Sequence, residues 1–392
     1  MSAVGGEGSR KRFRSSEKCL HGPETGNGRR PTICRTRLHN RLRWITFRSH
    51  AERHIKRTTI KDIARALGVA PSTVSRALAD HPDLSADTKQ RVRDVAAALR
   101  YVPDLRARRF RERHSHLVAL IVPEVNMFFV PSLMSGIQDV LEAAGYALLV
   151  FQSNDAFDRE SALVALCVHL GVDGVLLARS AETTHLDHLD ALAAADIPVV
   201  LLDKILDTDR VSTVSIDDLA TARDATGYLL DRGHRRVAGV FSDTRQRIGA
   251  LRRAGFLAAF AERGLPADDA LVVEVASLDA FADALAPALD AAPTALFAMS
   301  DELLVRAHHA VLARGLRIPD DVSLVAISDG QAPHFLHPPV THWLHAGQHV
   351  GAEAAHVLLR AVGQEDAAVV EVRLQTRLVE LGSVRPAGAG PA

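Results

Sequence analysis

The apolar positions of this chain fall into three regimes. Residues 1–57 show almost no periodicity and are rich in Arg, Gly, Ser and His. Such a segment predicts disorder, because it has too little apolar surface to bury. From Thr58 the spacing becomes helical. Ile60, Ile63, Ala64 and Leu67 share one face, and Thr59 followed by Asp62 is a capping-box pattern that predicts where this helix starts. Gly68 predicts its stop, with Val69 packing beneath the turn. Pro71 suits the first turn of a second helix, where its missing N–H would be unbonded anyway. Val74, Ala77 and Leu78 supply that helix's buried side; Ser85 predicts the cap of a third, whose stripe is Val92, Val95, Ala96 and Leu99. Three short helices, the first two joined by a tight glycine-containing turn, make a helix-turn-helix unit.

A short basic segment, "DLRARRFRERHSH", leads into the third regime. Apolar runs rich in Val, Leu and Ile ("HLVALIVP", "ALLVF", "DGVLLA", "IPVVLLD", "RVAGVF", "TALFAMS", "VSLVAIS") alternate with helical stretches such as "SLMSGIQDVLEAAG" and "ALRRAGFLAAFAERG". Continuously apolar strands alternating with helices predict parallel sheet covered on both faces. The stretch is too long for one simple sheet and predicts two α/β subdomains. Ligands of such folds bind beyond the C-terminal strand ends or between lobes.

Charge sharpens the division. The chain of 392 residues has a formal net charge of zero, yet residues 1–115 hold 27 Lys and Arg against 11 Asp and Glu, and the remainder holds 20 against 36. A basic first third on an acidic remainder predicts that the first third faces a polyanion. Residues 1–57 alone carry 15 basic against 4 acidic side chains, so a charged tail accounts for part of this. That segment can also be read as the product of an upstream start codon, since no second Met precedes Met127. No run of eighteen apolar residues is present, and the opening residues lack the apolar core of a secretory signal. A cytoplasmic protein without a membrane span is therefore expected. The scattered Cys19, Cys34 and Cys167 make no disulfide framework, and the pairs Cys19/His21 and Cys34/His39 match no common zinc spacing.

"TIKDIARALGVAPSTVSRALADHPDLSADTKQRV" followed by "LRYVP" resembles the DNA-binding domain of the LacI/GalR family of bacterial transcription regulators. The likeness runs on through "VDGVLLA", "IPVVLLD", "RGHRRVAGV", "LRRAGFLAAF", "DELLVRA" and "GLRIPDDVSLVAISD", covering roughly residues 58–385. The order and spacing of these pieces carry the assignment, since each alone is weak. The implied fold is α/β: an all-α helix-turn-helix domain at 58–103, a hinge helix or linker at 104–116, and a two-lobed core at 117–385 resembling type I periplasmic sugar-binding proteins with parallel sheets. Its N-subdomain would span about 117–215 and 348–375, and its C-subdomain about 216–344 and 376–385, leaving a tail at 386–392.

The resemblance also implies roles. Pro71, Ser72 and Arg76 match base-reading positions, and Thr73 and Ser75 sit where hydroxyls reach phosphate or base edges; Thr59 is a further expected DNA contact. The plainer alternative for Arg76 is a solvated helix charge. Ala70 stands where the family usually has a capping Ser. Ala107, Arg108 and Phe110 match the hinge helix, with Phe110 replacing the family's minor-groove leucine, unless it only packs against a dimer mate. In the core, Phe129, Asp203, Arg252, Asp301 and Asp329 match effector contacts, although each carboxylate could instead cap a helix or loop. Ser300 replaces the usual Asn. Most of the nineteen histidines, His308, His309, His334, His337, His342 and His345 among them, read as surface or subdomain-linking residues.

No H-E-x-x-H, G-x-S-x-G or P-loop motif occurs, so neither an enzyme nor a metal or cofactor is expected. The expected function is a repressor that binds a pseudo-palindromic operator in double-stranded DNA as a homodimer. A small-molecule effector, a sugar or sugar derivative, would control its affinity. The alternatives are a solute-binding protein of a transport system and a sensor of a purine-like effector. The tail lacks heptads, which favours a dimer over a tetramer.

Overall fold

The computed structural model describes residues 58–101, 114–268, 271–364 and 367–388. The extension 1–57 and the linker residues Ala107, Arg108 and Phe110 lie outside the described residues. The chain forms two compact units that divide near residue 102.

The first unit is three helices, α1 (Ile60–Leu67), α2 (Pro71–Leu78) and α3 (Ala86–Ala98). At the start of α1 the Asp62 carboxylate accepts from the Thr59 amide at 3.0 Å and its hydroxyl at 2.7 Å. These bonds hold the carboxyl of Asp62 below the usual carboxylate range. Gly68 ends α1 at φ 66°, a left-handed conformation that costs glycine little. Ile63, Ala64, Val74, Ala77, Val92 and Ala96 form the core between the helices. Leu99 departs from its expected place on that core and is 39% exposed. The reason is local: α3 stops at Ala98, and the chain reverses through Arg100 at φ 48°. The Tyr101 amide then returns to the Ala96 carbonyl at 2.9 Å, and Tyr101 packs against the helical core.

The second unit holds two six-stranded sheets. In the N lobe β1 (Leu117–Val122), β2 (Ala147–Gln152), β3 (Gly174–Leu177), β4 (Val199–Leu202), β5 (Ser212–Ile216) and β11 (Glu371–Leu374) lie in the order 11-5-4-3-1-2 and all pair in parallel. In the C lobe β6 (Val237–Phe241), β7 (Val272–Glu274), β8 (Ala295–Ala298), β9 (Ser323–Ser328), β10 (Thr341–Leu344) and β12 (Arg377–Val379) lie in the order 12-10-9-8-6-7, and only β12 is antiparallel. The chain crosses between lobes after β5, after β10 and between β11 and β12.

Alternation along buried strands sends side chains to opposite faces. Val118, Leu120 and Val122 join one cluster, while Ala119 and Ile121 join another with Val164 and Cys167 of α5 (Phe157–Leu170). On the first face, α4 (Phe129–Ala143) packs against α12 (Gly347–Ala361), burying Leu133, Ile137 and Leu141 completely. Each such side chain contributes roughly 1.5–3 kcal/mol. Glycine sets how near the helices come: a Cβ on Gly136 would stand 2.0 Å from the Gln348 carbonyl oxygen, and one on Gly351 2.2 Å from that of Leu133. The C lobe repeats the device where α8 (Arg247–Glu262) crosses α7 (Asp218–Asp231), since a Cβ on Gly255 would fall 2.2 Å from the Leu219 carbonyl oxygen.

Two outcomes follow. Gly136→Ala forces α4 away from α12 and is expected to destabilise the core by about 1–3 kcal/mol in thermal or urea unfolding; an unchanged midpoint would show that these helices part freely. The N-cap of α2 is Ala70, which offers no side-chain acceptor, whereas the Ser85 hydroxyl accepts from the Thr88 amide at the start of α3. Ala70→Ser should therefore stabilise the helical unit by about 0.5–1 kcal/mol, read from its unfolding midpoint.

Candidate functional site

Because the strands of both lobes other than β12 run parallel, their C-terminal ends bring loops from both sheets to one cleft of about 640 Å³. Phe129 follows β1, Asp155 follows β2, Asp203 follows β4, and Asp301 follows β8 at the first position of α10 (Asp301–Ala313). Arg252 reaches the cleft from α8, and His345 immediately follows β10.

Arg252 is nearly fully buried. Its Nε donates to the Asp218 carboxylate at 2.8 Å and its Nη1 to the Met299 carbonyl, while Nη2 has no partner. Asp203 adopts φ 58° after β4. Burial pushes its carboxyl up to about 6, with Asp218 and Glu302 pushing further and Arg252 and Lys204 pulling back. His345 stacks on Phe129, ring centroids 4.3 Å apart and planes 17° from parallel. Its Nε2 lies 3.7 Å from an Asp203 oxygen without a hydrogen bond. Burial, joined by the Arg252 charge, holds this imidazole well below its usual pKa and therefore neutral. Asp301 accepts from the Ser328 hydroxyl and, at 2.9 Å, from the Asp329 amide. Burial pushes its carboxyl up to about 6 as well. Ser300, the replacement for Asn, caps α10 by accepting from the Leu303 amide.

The structure thus brings Phe129, Asp203, Arg252 and Asp301 together. Asp329 is not with them. Its carboxylate accepts from the Ser132 hydroxyl at 2.7 Å and the Gly347 amide at 3.1 Å, fastening the end of β9 to α4 and the start of α12. Val130 faces the core, and the aromatic pair at the cleft is Phe128 with Phe129. Of the histidines read as surface or subdomain-linking, His308, His342 and His345 are buried: His308 sits on α10 against the His337 carbonyl, His342 lies within β10, and His345 links the lobes by stacking on Phe129. Sequence reasoning did not single out His345, Lys204 or Glu302 for the cleft. The available signal was their position directly beside a strand end or beside Asp203 and Asp301. Among the described residues no group of His, Cys, Asp and Glu is placed to hold a metal, and no helix is long and apolar enough to cross a membrane.

In the helical unit Pro71, Ser72 and Arg76 are exposed on α2, and Thr73 and Ser75 are partly so. Val74 and Ala77 occupy the buried side. Among the described residues no carboxylate pairs with Arg76, whereas Lys89 and Arg93 of α3 are both held by Asp80. Thr59 is exposed, its hydroxyl donated to Asp62. One face of a short helix thus offers a cation, hydroxyls and an apolar ring, a set suited to the edges of bases and to phosphate.

Comparison with known proteins agrees with this division. Residues 59–104 match the model of bacterial regulatory proteins of the lacI family, and residues 115–380 that of periplasmic binding proteins and the sugar binding domain of the LacI family. Catabolite control protein A of Priestia megaterium is 28% identical over 320 residues, spanning 80% of this chain and 96% of that protein. A solved transcriptional regulator CelR–cellobiose complex is 28% identical, with a TM-score of 0.62 over 83% of this chain and 100% of that one. The lac repressor dimer bound to operator and the anti-inducer ONPF, 20% identical, shares the fold at a TM-score of 0.72 over 84% of this chain and 100% of its own. With a helix-turn-helix unit and a two-sheet core each matched along its length, this chain belongs to the LacI family of DNA-binding transcription regulators, which are not enzymes.

Proposed function

We propose that this regulator represses transcription from a pseudo-palindromic operator as a homodimer, and that a small carbohydrate in the cleft controls its affinity for that DNA. The observation that carries the effector reading is a pair of buried, unpartnered polar atoms, Nη2 of Arg252 and Nε2 of His345, in a cleft walled by Phe129 and by carboxylates. Polar atoms buried without partners are costly, and a ligand bearing hydroxyls supplies what they lack. Phe129 offers its ring to an apolar sugar face, and Asp203 and Asp301 accept hydroxyl protons. The relative solved with cellobiose supports a carbohydrate.

On the DNA side, Arg76 would read a guanine through two hydrogen bonds, Ser72 a base edge, and Pro71 a thymine methyl group. Thr59, Thr73 and Ser75 would reach phosphate or base edges, Arg108 would track phosphates, and Phe110, with Ala107 one helical turn before it, would act in the minor groove. Bound to its operator, the protein would sit with the bacterial nucleoid. The effector changes DNA affinity only as far as it binds one lobe arrangement better than another.

Arg252→Lys keeps a cation for Asp218 and removes the unpartnered Nη2. It is expected to weaken effector response in a gel-shift titration about tenfold or more while leaving effector-free operator binding intact; equal loss of DNA binding would make Arg252 purely structural. Arg76→Ala should cost about 1–3 kcal/mol of specific binding and relax preference at one base pair per half-site, measured by fluorescence anisotropy on operator variants. A uniform loss across all sequences would place Arg76 on phosphate instead.

A further inference from the structure

The charges lining the cleft are lopsided. Glu124, Asp155 and Asp203 approach from the N lobe, and Asp243, Asp301 and Glu302 from the C lobe. Among the described lining residues the cations are Lys204 and Arg252, and His345 is neutral. Lys204 lies 3.6 Å from Asp155, and Arg252 is committed to Asp218 behind the cleft wall. Asp243 is held by Arg245 through two hydrogen bonds of 2.8 and 3.0 Å. Arg252 and Lys204 act on Asp203 only from a distance. Among the described residues no Lys or Arg makes an ion pair with Asp203, Asp301 or Glu302, although the Glu302 carboxylate accepts from the Phe128 amide of the N lobe at 3.4 Å. Glu302 stands near enough to both aspartates for its charge to act on each. The buried, unpartnered Nε2 of His345 beside Asp203 marks the same spot as one that a ligand completes.

Like charges on facing lobes oppose closure, and a neutral sugar leaves that repulsion in place. A phosphate or carboxylate would add to it. On these grounds we infer that the effector carries a positive charge: it is an amino sugar or amine-bearing polyol whose ammonium group sits among Asp203, Asp301 and Glu302. The inference rests on the carbohydrate reading for the ligand's hydroxyls, and on the carboxylates alone for its charge. An ammonium group in that position draws the lobes together by bridging Asp203 on one to Asp301 and Glu302 on the other. Affinity for it rises between about pH 5 and pH 7, because both aspartates, pushed up to about 6, must ionise to hold it. Arg252, Lys204, Asp218, Glu302 and His345 face Asp203 in this titration, and Glu302, Asp329 and Ser328 face Asp301.

The test is a thermal-shift titration of the full-length protein with matched sets: D-glucose, D-glucosamine and glucose 6-phosphate; D-galactose, D-galactosamine and galactose 6-phosphate; and 1,4-diaminobutane, which has the charge without hydroxyls. Amino sugars are expected to raise the melting temperature at about one-tenth of the concentration their neutral counterparts need, or less. A neutral or phosphorylated sugar that acts best overturns the positive charge and leaves the carbohydrate reading standing. A shift by the diamine alone keeps the charge and overturns the carbohydrate. Silence across the panel overturns both. Glu302→Gln adds a ligand-free arm: with one repelling carboxylate removed, the unliganded protein should melt higher, and a lower melting temperature would refute the repulsion on which the inference stands.

Discussion

A buried guanidinium has to find a carboxylate, and in this protein that requirement organises the floor of the cleft. The Arg252 side chain is 4% exposed and its partner Asp218 is 2% exposed. Separating them would strand a charge in a medium that solvates it poorly. Their pairing holds α7 against α8, at the distance that Gly255 permits. A second guanidinium arm binds the Met299 carbonyl at the end of β8, so two helices and a strand meet at one side chain. Only Nη2 is left to meet a ligand. The same pairing explains why the cleft is acidic: its most buried cation is already neutralised within the protein.

One hydrophobic cluster runs from the inner face of the N-lobe sheet into the C lobe, and the polar fastenings between the lobes gather near the crossings. Three short crossings join them, and the Asp329 carboxylate adds a contact to Ser132 and Gly347 beside one of these crossings. A Cβ on Gly347 would lie 2.3 Å from the Ser132 hydroxyl oxygen, so this junction is close as well as polar. Asp329 is better placed to influence how the lobes meet than to touch what lies between them.

Much of this architecture was legible along the chain. Thr59 with Asp62, Gly68 and Pro71 each act within a few residues of themselves, so their local chemistry announced the three helices. The apolar runs of β1, β3, β4, β6, β8 and β9 did the same for the sheets, because a strand buried on both faces has no polar alternation. Leu99 misled, since helical spacing continues past the point where the chain turns at Arg100. Of the cleft, Phe129, Asp203, Arg252 and Asp301 were found through family resemblance, at or near strand ends. His345, Lys204 and Glu302 were passed over. Nothing in "THWLH" tells that its last histidine stacks on a ring from the opposite lobe.

By itself, then, the sequence did not announce the edge strands β7 and β11 or the antiparallel β12. It determined the three N-terminal helices, the central strands of both sheets as buried and parallel, and that one basic helical unit precedes an acidic α/β core. These are consequences of periodicity, capping and charge, all of which operate over a few neighbouring positions. Only the tertiary structure decided which polar side chains satisfy one another and which remain unpartnered. It gave Asp218 to Arg252, Ser132 to Asp329 and Ser328 to Asp301, and it left Nη2 of Arg252 and Nε2 of His345 facing the cleft. Hydrogen bonds and ion pairs act only over a few ångströms, and residues far apart in the chain come that close only when the sheets and their covering helices have assembled.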